Sequence, residues 1–398
     1  QRFFHWCVEF PEVFAANKGF DVMCGNPPWD KLQMEEEKWF AGKDEDIVKA
    51  ANQAERKERI AKLQTSAPKL YEEFTIACNA LTSQSNFVKN SGRFHLTAVG
   101  KLELSSLFAE LCLSFSKEAW GLVLPTGIAV NDSNKYFFSE LIDENRLVSL
   151  YDFENREKLF EIDSRFKFCL ITAGKAQTEP RTVSGGFYLT RIDHLLDPRR
   201  IYTLRTDDFA RFNPNTKLCP VFRTAKDANL TAKIYRNAPI LINDETNENS
   251  WGIRFMMMFN MASASSLFYT RKRLDSMGGK LQGCSYSVDN DIYVPLYEGK
   301  MFWHYNHHYA EFPNEYEVQK RPSSINSTLI GTLADSNSSI TPWYWVKKSL
   351  IDERLTDKDR NGNVRWQWKH SYYIAFRDVA RAADARTCIA SLMPSGIA

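Results

Sequence analysis

The chain has 398 residues, 43% of them hydrophobic and 25% charged, with a formal net charge of +2. That length leaves room for two or three soluble domains, and the lack of any apolar run of about 18 residues excludes a membrane helix. So near-neutral a balance neither demands nor forbids a nucleic-acid partner.

In chain order, Phe20–Gly25 is a strand-length apolar run that stops at Asn26-Pro27-Pro28-Trp29. Two consecutive prolines remove two backbone donors and fix two φ angles, so a stiff turn is expected there. Residues 34–90 are charged and helix-favouring and read as a helical insertion. Helical periodicity returns over 102–117. Residues 120–126 read as a second buried strand, 138–145 as a helix, and 147–153 and 166–174 as a third and fourth strand. Apolar strands alternating with helices predict an α/β sheet, at least partly parallel. From about residue 195 polar loops take over, with turn signals that include DRNGN at 359–363. A second, mixed domain is expected, dividing the chain into 1–195 and 196–398.

Eight cysteines, at 7, 24, 78, 112, 169, 219, 284 and 388, form no CxxC pair. That argues against a zinc knuckle or a disulfide framework, and they read as buried free thiols. No signal peptide is evident. The chain starts at Gln1 in a segment that reads as the middle of a domain, so a fragment of a longer protein is expected.

Ligands of α/β sheets bind at the carboxyl ends of the strands, where the Asn26–Trp29 turn falls. The pattern suits methylation of an exocyclic aromatic amine. Such a nitrogen is a poor nucleophile because its lone pair is delocalised into the ring. Two acceptors on its hydrogens, an Asn side chain and a rigidly held backbone carbonyl, would localise that pair. A neighbouring aromatic would fix the ring plane. Rate would then come from positioning and preorganised electrostatics, without a strong base.

Asn26-Pro27-Pro28-Trp29 after a buried strand, with Gly19-Phe20-Asp21-Val22 upstream, resembles the catalytic motif of DNA adenine-N6 methyltransferases. Segments 4–14, 121–127, 153–168, 219–235, 293–308 and 372–394 extend the likeness to the large methyltransferases of Type IIG restriction–modification enzymes. The methylases of BREX-like phage-defence systems are similar. The resemblance implies an α/β fold: a partial Rossmann-like methyltransferase sheet with a helical insertion, followed by a mixed α+β DNA recognition domain. Residues 1–195 would be the C-terminal part of the catalytic domain, and 196–398 the bridge and recognition domain. The implied activity is methyl transfer from S-adenosylmethionine to an adenine flipped out of double-stranded DNA, in a bacterial or archaeal cytoplasm. Other restriction or phage-defence subunits are the further partners implied, and no membrane is. The family holds its cofactor on a glycine-rich loop upstream of the motif. No such loop stands here, since Gly278-Gly279 lacks a preceding strand, so it is expected outside this chain.

Carried onto this sequence, Asn26 accepts from the target amine, the Pro27 carbonyl takes the second hydrogen, Pro28 stiffens the turn and Trp29 stacks on the base. Phe166, and after it Phe160, either supplies a second stacking ring or packs in the core. Asp30 is expected only to cap the next helix. Arg223 and Lys226 in the bridge, and Arg271, Lys272 and Arg273, either meet phosphates or form solvated faces. Lys300 is expected at DNA in the recognition domain, and His304 either meets a base or phosphate there or is structural. Arg377 and Arg381 either read guanine or pair with Asp378 and Asp384. No metal is expected, because no Cys or carboxylate at ligand spacing joins His304, His307 and His308. Two other readings stay open: a DNA-binding specificity module without catalysis of its own, and a methyltransferase acting on RNA or protein.

Overall fold

In the computed structural model, residues 4–50, 52–261, 263–327, 339–379, 386 and 388–394 are described. They fall into two compact units, Gln1–Ile253 and Arg254–Ala398.

The first unit opens with two short helices, α1 (Trp6–Glu9) and α2 (Pro11–Asn17), the second started by a proline at its first position, where the missing N–H costs nothing. They lead into β1 (Phe20–Gly25). Gly19 makes that entry possible. Its φ is +145°, and a Cβ there would lie 2.4 Å from the Phe115 carbonyl oxygen. Gly19→Ala is therefore expected to lower the unfolding free energy by about 2 kcal/mol or more, read from a denaturant midpoint.

The expected insertion is helical: α3 (Glu36–Phe40), α4 (Glu45–Val48), α5 (Gln53–Ser66) and α6 (Pro68–Asn90). It has a small core of its own around Phe40, Ile47, Ile60 and Leu63, while α6 buries no residue fully. Asp30 caps nothing. The next helix starts at Glu36, so the carboxylate is too early in the chain to serve as its N-cap.

α7 (Leu104–Phe115) runs without a loop into β2 (Ser116–Pro125). The helices α8 (Gly127–Val130) and α9 (Lys135–Asp143) precede β3 (Leu147–Glu154), and β4 (Lys167–Gly174) and β5 (Thr182–Leu189) follow it. A four-residue strand, β6 (Tyr202–Arg205), then leads directly into α10 (Thr206–Phe212) and on to α11 (Ala225–Asn237). The six strands form one sheet in the order β1-β2-β4-β3-β5-β6. The β1–β2 and β3–β5 pairs are parallel; β4 lies antiparallel between β2 and β3, and β6 antiparallel on β5. The sheet is thus the partly parallel α/β layer that the sequence predicts. Its core joins Trp120, Leu124, Phe137, Phe138, Leu150 and Ile171 to Tyr202, Leu204, Phe209 and Phe222. Because these last residues are buried there, the first unit continues past residue 195.

The second unit is built on a four-stranded antiparallel sheet in the order β12-β9-β8-β7: β7 (Lys280–Gln282), β8 (Ser285–Val288), β9 (Asp291–Leu296) and β12 (Tyr344–Lys347). Three ribbons accompany it. They are β10 (Ala310–Glu311) with β11 (Asn326–Ser327), β13 (Thr356–Lys358) with β14 (Val364–Gln367), and β15 (Tyr372–Phe376) with β16 (Ala390–Pro394). The sheet and the helices α12 (Arg271–Ser276) and Lys348–Arg354 make the unit mixed α+β. Gly278, at φ +77°, ends α12, and a Cβ on Gly279 would lie 2.8 Å from the Leu274 carbonyl oxygen. This glycine pair is a helix stop.

All eight cysteines are free, but burial holds only for Cys112, Cys169 and Cys219. Cys7, Cys24 and Cys388 are exposed, a departure from the expected buried set. Cys24, for one, lies on β1, an edge strand none of whose residues is buried. No described helix is long and apolar enough to cross a membrane.

Candidate active site

The Asn26–Trp29 turn leaves β1 at its carboxyl end, at one edge of the six-stranded sheet. Asn26 and Pro28 are exposed and Pro27 is half-buried. The Asn26 side chain makes no hydrogen bond to a described protein group. Trp29 is half-buried and held from three sides. Its indole N–H donates to the Val123 carbonyl at 3.3 Å, its ring stacks on Phe168 at 6.1 Å, and Phe160 meets it edge-on at 5.9 Å. The turn thus presents a free amide beside an anchored aromatic.

Phe160 reaches Trp29 because the segment between β3 and β4 is folded around one side chain. Asn155 is fully buried. Its Nδ2 donates to the carbonyls of Phe160 and Ile162 at 3.0 and 3.1 Å, and its Oδ1 accepts from the Phe160 N–H at 3.0 Å. Its own N–H donates to the Phe166 carbonyl at 3.1 Å. Phe166, at the far end of this loop, is 53% exposed, whereas Phe160 packs with Trp29 and Phe168. Asn155 was not singled out from the sequence. Its one signal is a lone amide directly after an apolar strand.

A buried carboxylate, also not anticipated, ties three strand ends together. Asp152, on β3, accepts from the Thr126 hydroxyl at 2.5 Å and the Tyr188 N–H at 3.1 Å. Tyr188 adopts φ +59°, which turns its N–H toward the carboxylate, and its ring lies under Lys167 at 4.3 Å and Arg223 at 4.4 Å. Burial raises the Asp152 carboxyl above the ordinary carboxylate range, and the two hydrogen bonds oppose that rise without cancelling it. A group that binds its proton more tightly in the folded chain stabilises the fold most when protonated. That contribution is lost as pH rises from the ordinary Asp range through the raised value. Asp152→Asn is therefore expected to gain stability relative to the parent across that window, measured as the pH dependence of the unfolding midpoint.

The remaining candidates are dispersed. In the first unit, Arg223 is exposed beside Tyr188, and Lys226 is exposed in the first turn of α11. In the second unit, Arg271 lies 4.0 Å from Asp275. Lys272 and Arg273 are exposed and sit over Tyr316 and Tyr269. Lys300 faces inward, donating to the Ser323 carbonyl at 3.1 Å with Glu298 at 3.6 Å. His304 accepts from the Ala390 N–H through Nδ1 at 3.4 Å. Arg377 donates to the Phe302 carbonyl at 2.5 Å and lies over Trp303 at 4.6 Å. Arg381 lies outside the described residues. Among the described residues, no group of three His, Cys, Asp or Glu side chains could hold a metal ion.

The family model of the Eco57I restriction-modification methylase matches residues 1–160. The matched stretch contains the whole Asn26–Trp29 turn, Thr126, Asp152, Asn155 and Phe160. Among solved structures, the chain is similar to the type I restriction-modification methyltransferase subunit from Streptococcus thermophilus. Identity is 14% and the TM-score 0.26, over 35% of this chain and 35% of that one. It is also similar to a modification subunit of a putative type I restriction enzyme from Vibrio vulnificus YJ016, at 12% identity and TM-score 0.28, over 52% of this chain and 38% of that one. The type IIG restriction endonuclease BpuSI matches at 12% identity and TM-score 0.30, over 70% of this chain and 31% of that one. The chain thus spans about a third of the length of these structures, between 31% and 38%. No curated protein sequence matches it.

Proposed function

We propose that the full-length protein is a site-specific DNA adenine-N6 methyltransferase of a restriction–modification or phage-defence system. In this reading the methylase segment supplies the methyl-transfer turn and the second unit recognises the target. One observation carries it: an unpartnered Asn26 amide stands at the carboxyl end of a sheet strand beside a tryptophan that is already anchored. The Asn26 oxygen and the Pro27 carbonyl accept the two hydrogens of the adenine amino group, and Trp29 meets the ring. The amine sheds a proton only as it becomes cationic, so no strong base is called for. Reaching the turn requires the adenine to leave the duplex, which costs a few kcal/mol of stacking and pairing. The exposed Phe166 is the second stacking ring in this scheme, and Phe160 supports Trp29.

The family implies S-adenosylmethionine as methyl donor, and no described residue is assigned to holding it, because none belongs to a glycine-rich loop after a strand of the sheet. Double-stranded DNA is the partner proposed, together with other restriction or defence subunits. Lys272 and Arg273 are the exposed cations proposed to meet its phosphates in the second unit, with Arg223 and Lys226 in the first. The test is to express the full-length protein in a host lacking adenine methylation and map modified bases. N6-methyladenine at one defined sequence supports the reading. Unmodified DNA, or modification of cytosine alone, overturns it.

A further inference from the structure

The ribbon formed by β13 and β14 is not part of the site described above, and its cations stand without the acidic partners that several others in the second unit have. Arg271, Lys300, Arg321, Lys347 and Lys348 each have an acidic partner within 4.0 Å. Lys358, Arg360, Arg365 and Lys369 are exposed, and none has an ion-pair partner among the described residues. The acidic residues of the ribbon do not answer them. Asp359 is taken up by the turn itself, accepting from the Asn361 and Asn363 N–H groups at 2.8 Å each and from Asn363 Nδ2 at 3.1 Å. Gly362, at φ +85°, closes that turn.

The geometry aims these charges outward. Asp357 pairs with Trp366 and Lys358 with Val364, so Arg365 is the extra residue of a β-bulge. A bulge re-aims a side chain at the expense of one ladder position. The foot of the ribbon is fixed: the Trp368 N–H donates to the Leu355 carbonyl at 2.9 Å, and its indole N–H to the Tyr372 carbonyl at 2.8 Å. Arg254 stacks on Trp366 at 4.2 Å and adds a further cation there. The result is a two-stranded ribbon with an anchored base, unanswered positive charge along its length, and exposed Arg360, Asn361 and Gln367.

We infer that this ribbon, Thr356–Gln367, enters the major groove of duplex DNA, with Arg360 and Asn361 at base edges and Lys358, Arg365 and Lys369 on the flanking phosphates. The major groove, about 12 Å wide, admits a two-stranded ribbon, and Arg and Asn are the side chains that pair bidentately with guanine and adenine there. The inference rests on the reading of the second unit as the part that recognises DNA.

The test uses the full-length protein and a labelled pool of random-sequence duplexes. Lys358→Ala/Arg365→Ala/Lys369→Ala is expected to bind at least 10-fold more weakly at low salt. The slope of log K against log salt should become shallower by about 0.9 for each phosphate that the variant no longer neutralises. Arg360→Ala is expected to keep most of that slope but to relax one position of the sequence selected from the pool. All four side chains are exposed, so melting midpoints should match the parent, and Gln at the same positions provides a second set of variants. An unchanged affinity and slope in the triple variant overturns the inference. So does a weakened triple variant whose Arg360→Ala counterpart selects the parental sequence, since the ribbon would then lie on phosphates outside the groove. Selection from the pool does not depend on methyl transfer. A protein that binds through the ribbon yet leaves adenine unmodified removes the enzyme reading alone, and an active methylase with indifferent ribbon variants removes the ribbon alone.

Discussion

Asn26→Ala in the full-length protein is expected to lose methyl transfer by about 10²- to 10³-fold in kcat, the range found when one preorganised polar group is removed from a reacting centre. Duplex DNA should be bound as before. The two expectations separate because the Asn26 side chain is exposed and makes no hydrogen bond to a described protein group. Removing it creates no cavity and strands no buried partner, so the melting midpoint should stay within about 1 °C of the parent, as for surface changes in general. A single-turnover methylation assay beside a binding titration reads both. Parental kcat in the variant would remove the amide from the chemistry. A lowered melting midpoint would make the turn structural instead.

The second large effect is expected at Asn155, through folding and loop order. Asn155→Ala removes a side chain that satisfies two carbonyls and one N–H in a site with no exposure. Each buried polar group left unpaired costs about 1–3 kcal/mol, so a loss of about 3 kcal/mol is expected after relaxation. In a unit of this size that corresponds to a fall of about 6–12 °C in the melting midpoint. The same change frees Phe160 from Trp29, so kcat should fall further than stability alone dictates when both proteins are assayed well below their midpoints. Asn155→Asp should recover part of the effect, since one oxygen can still accept from the Phe160 N–H. A midpoint equal to the parent's would show that the loop holds itself without this clamp.

The strands β1 to β4 were legible because each is a run whose apolar pattern commits it, and the helical insertion because its charged residues are helix formers with few β-branched ones among them. Strand β5 was not anticipated, and its residues explain why. Gly185 and Gly186 weaken any local strand signal, yet they are there for packing: a Cβ on Gly185 would lie 3.1 Å from the Tyr202 ring, and one on Gly186 would lie 2.7 Å from Ile201. Strand β6 has four residues and draws its stability from β5. Strand direction leaves no mark in a hydropathy pattern, so the antiparallel place of β4 could not be read. The change in composition near residue 195 is real, but Phe209, Phe212 and Phe222 beyond it are buried in the first unit's core. At the site, the Pro-Pro turn was legible because proline acts locally. Asn155 and Asp152 were not, because a buried polar residue and a solvated one look alike until their partners fold around them.

Strand β1, which carries the Asn26–Trp29 turn, is hydrogen-bonded among the described residues on one side only, to β2, and even that ladder is irregular between Phe20 and Val22. Strand β4, by contrast, is bonded on both sides. The β1 amides that face away from β2 should therefore exchange with deuterated solvent orders of magnitude faster than those of β4. Fraying of that single ladder would swing the turn out of register with Val123 and Phe168. A further strand laid along the open flank would quiet it, so the precision of the turn is set by what zips onto a backbone edge six residues long.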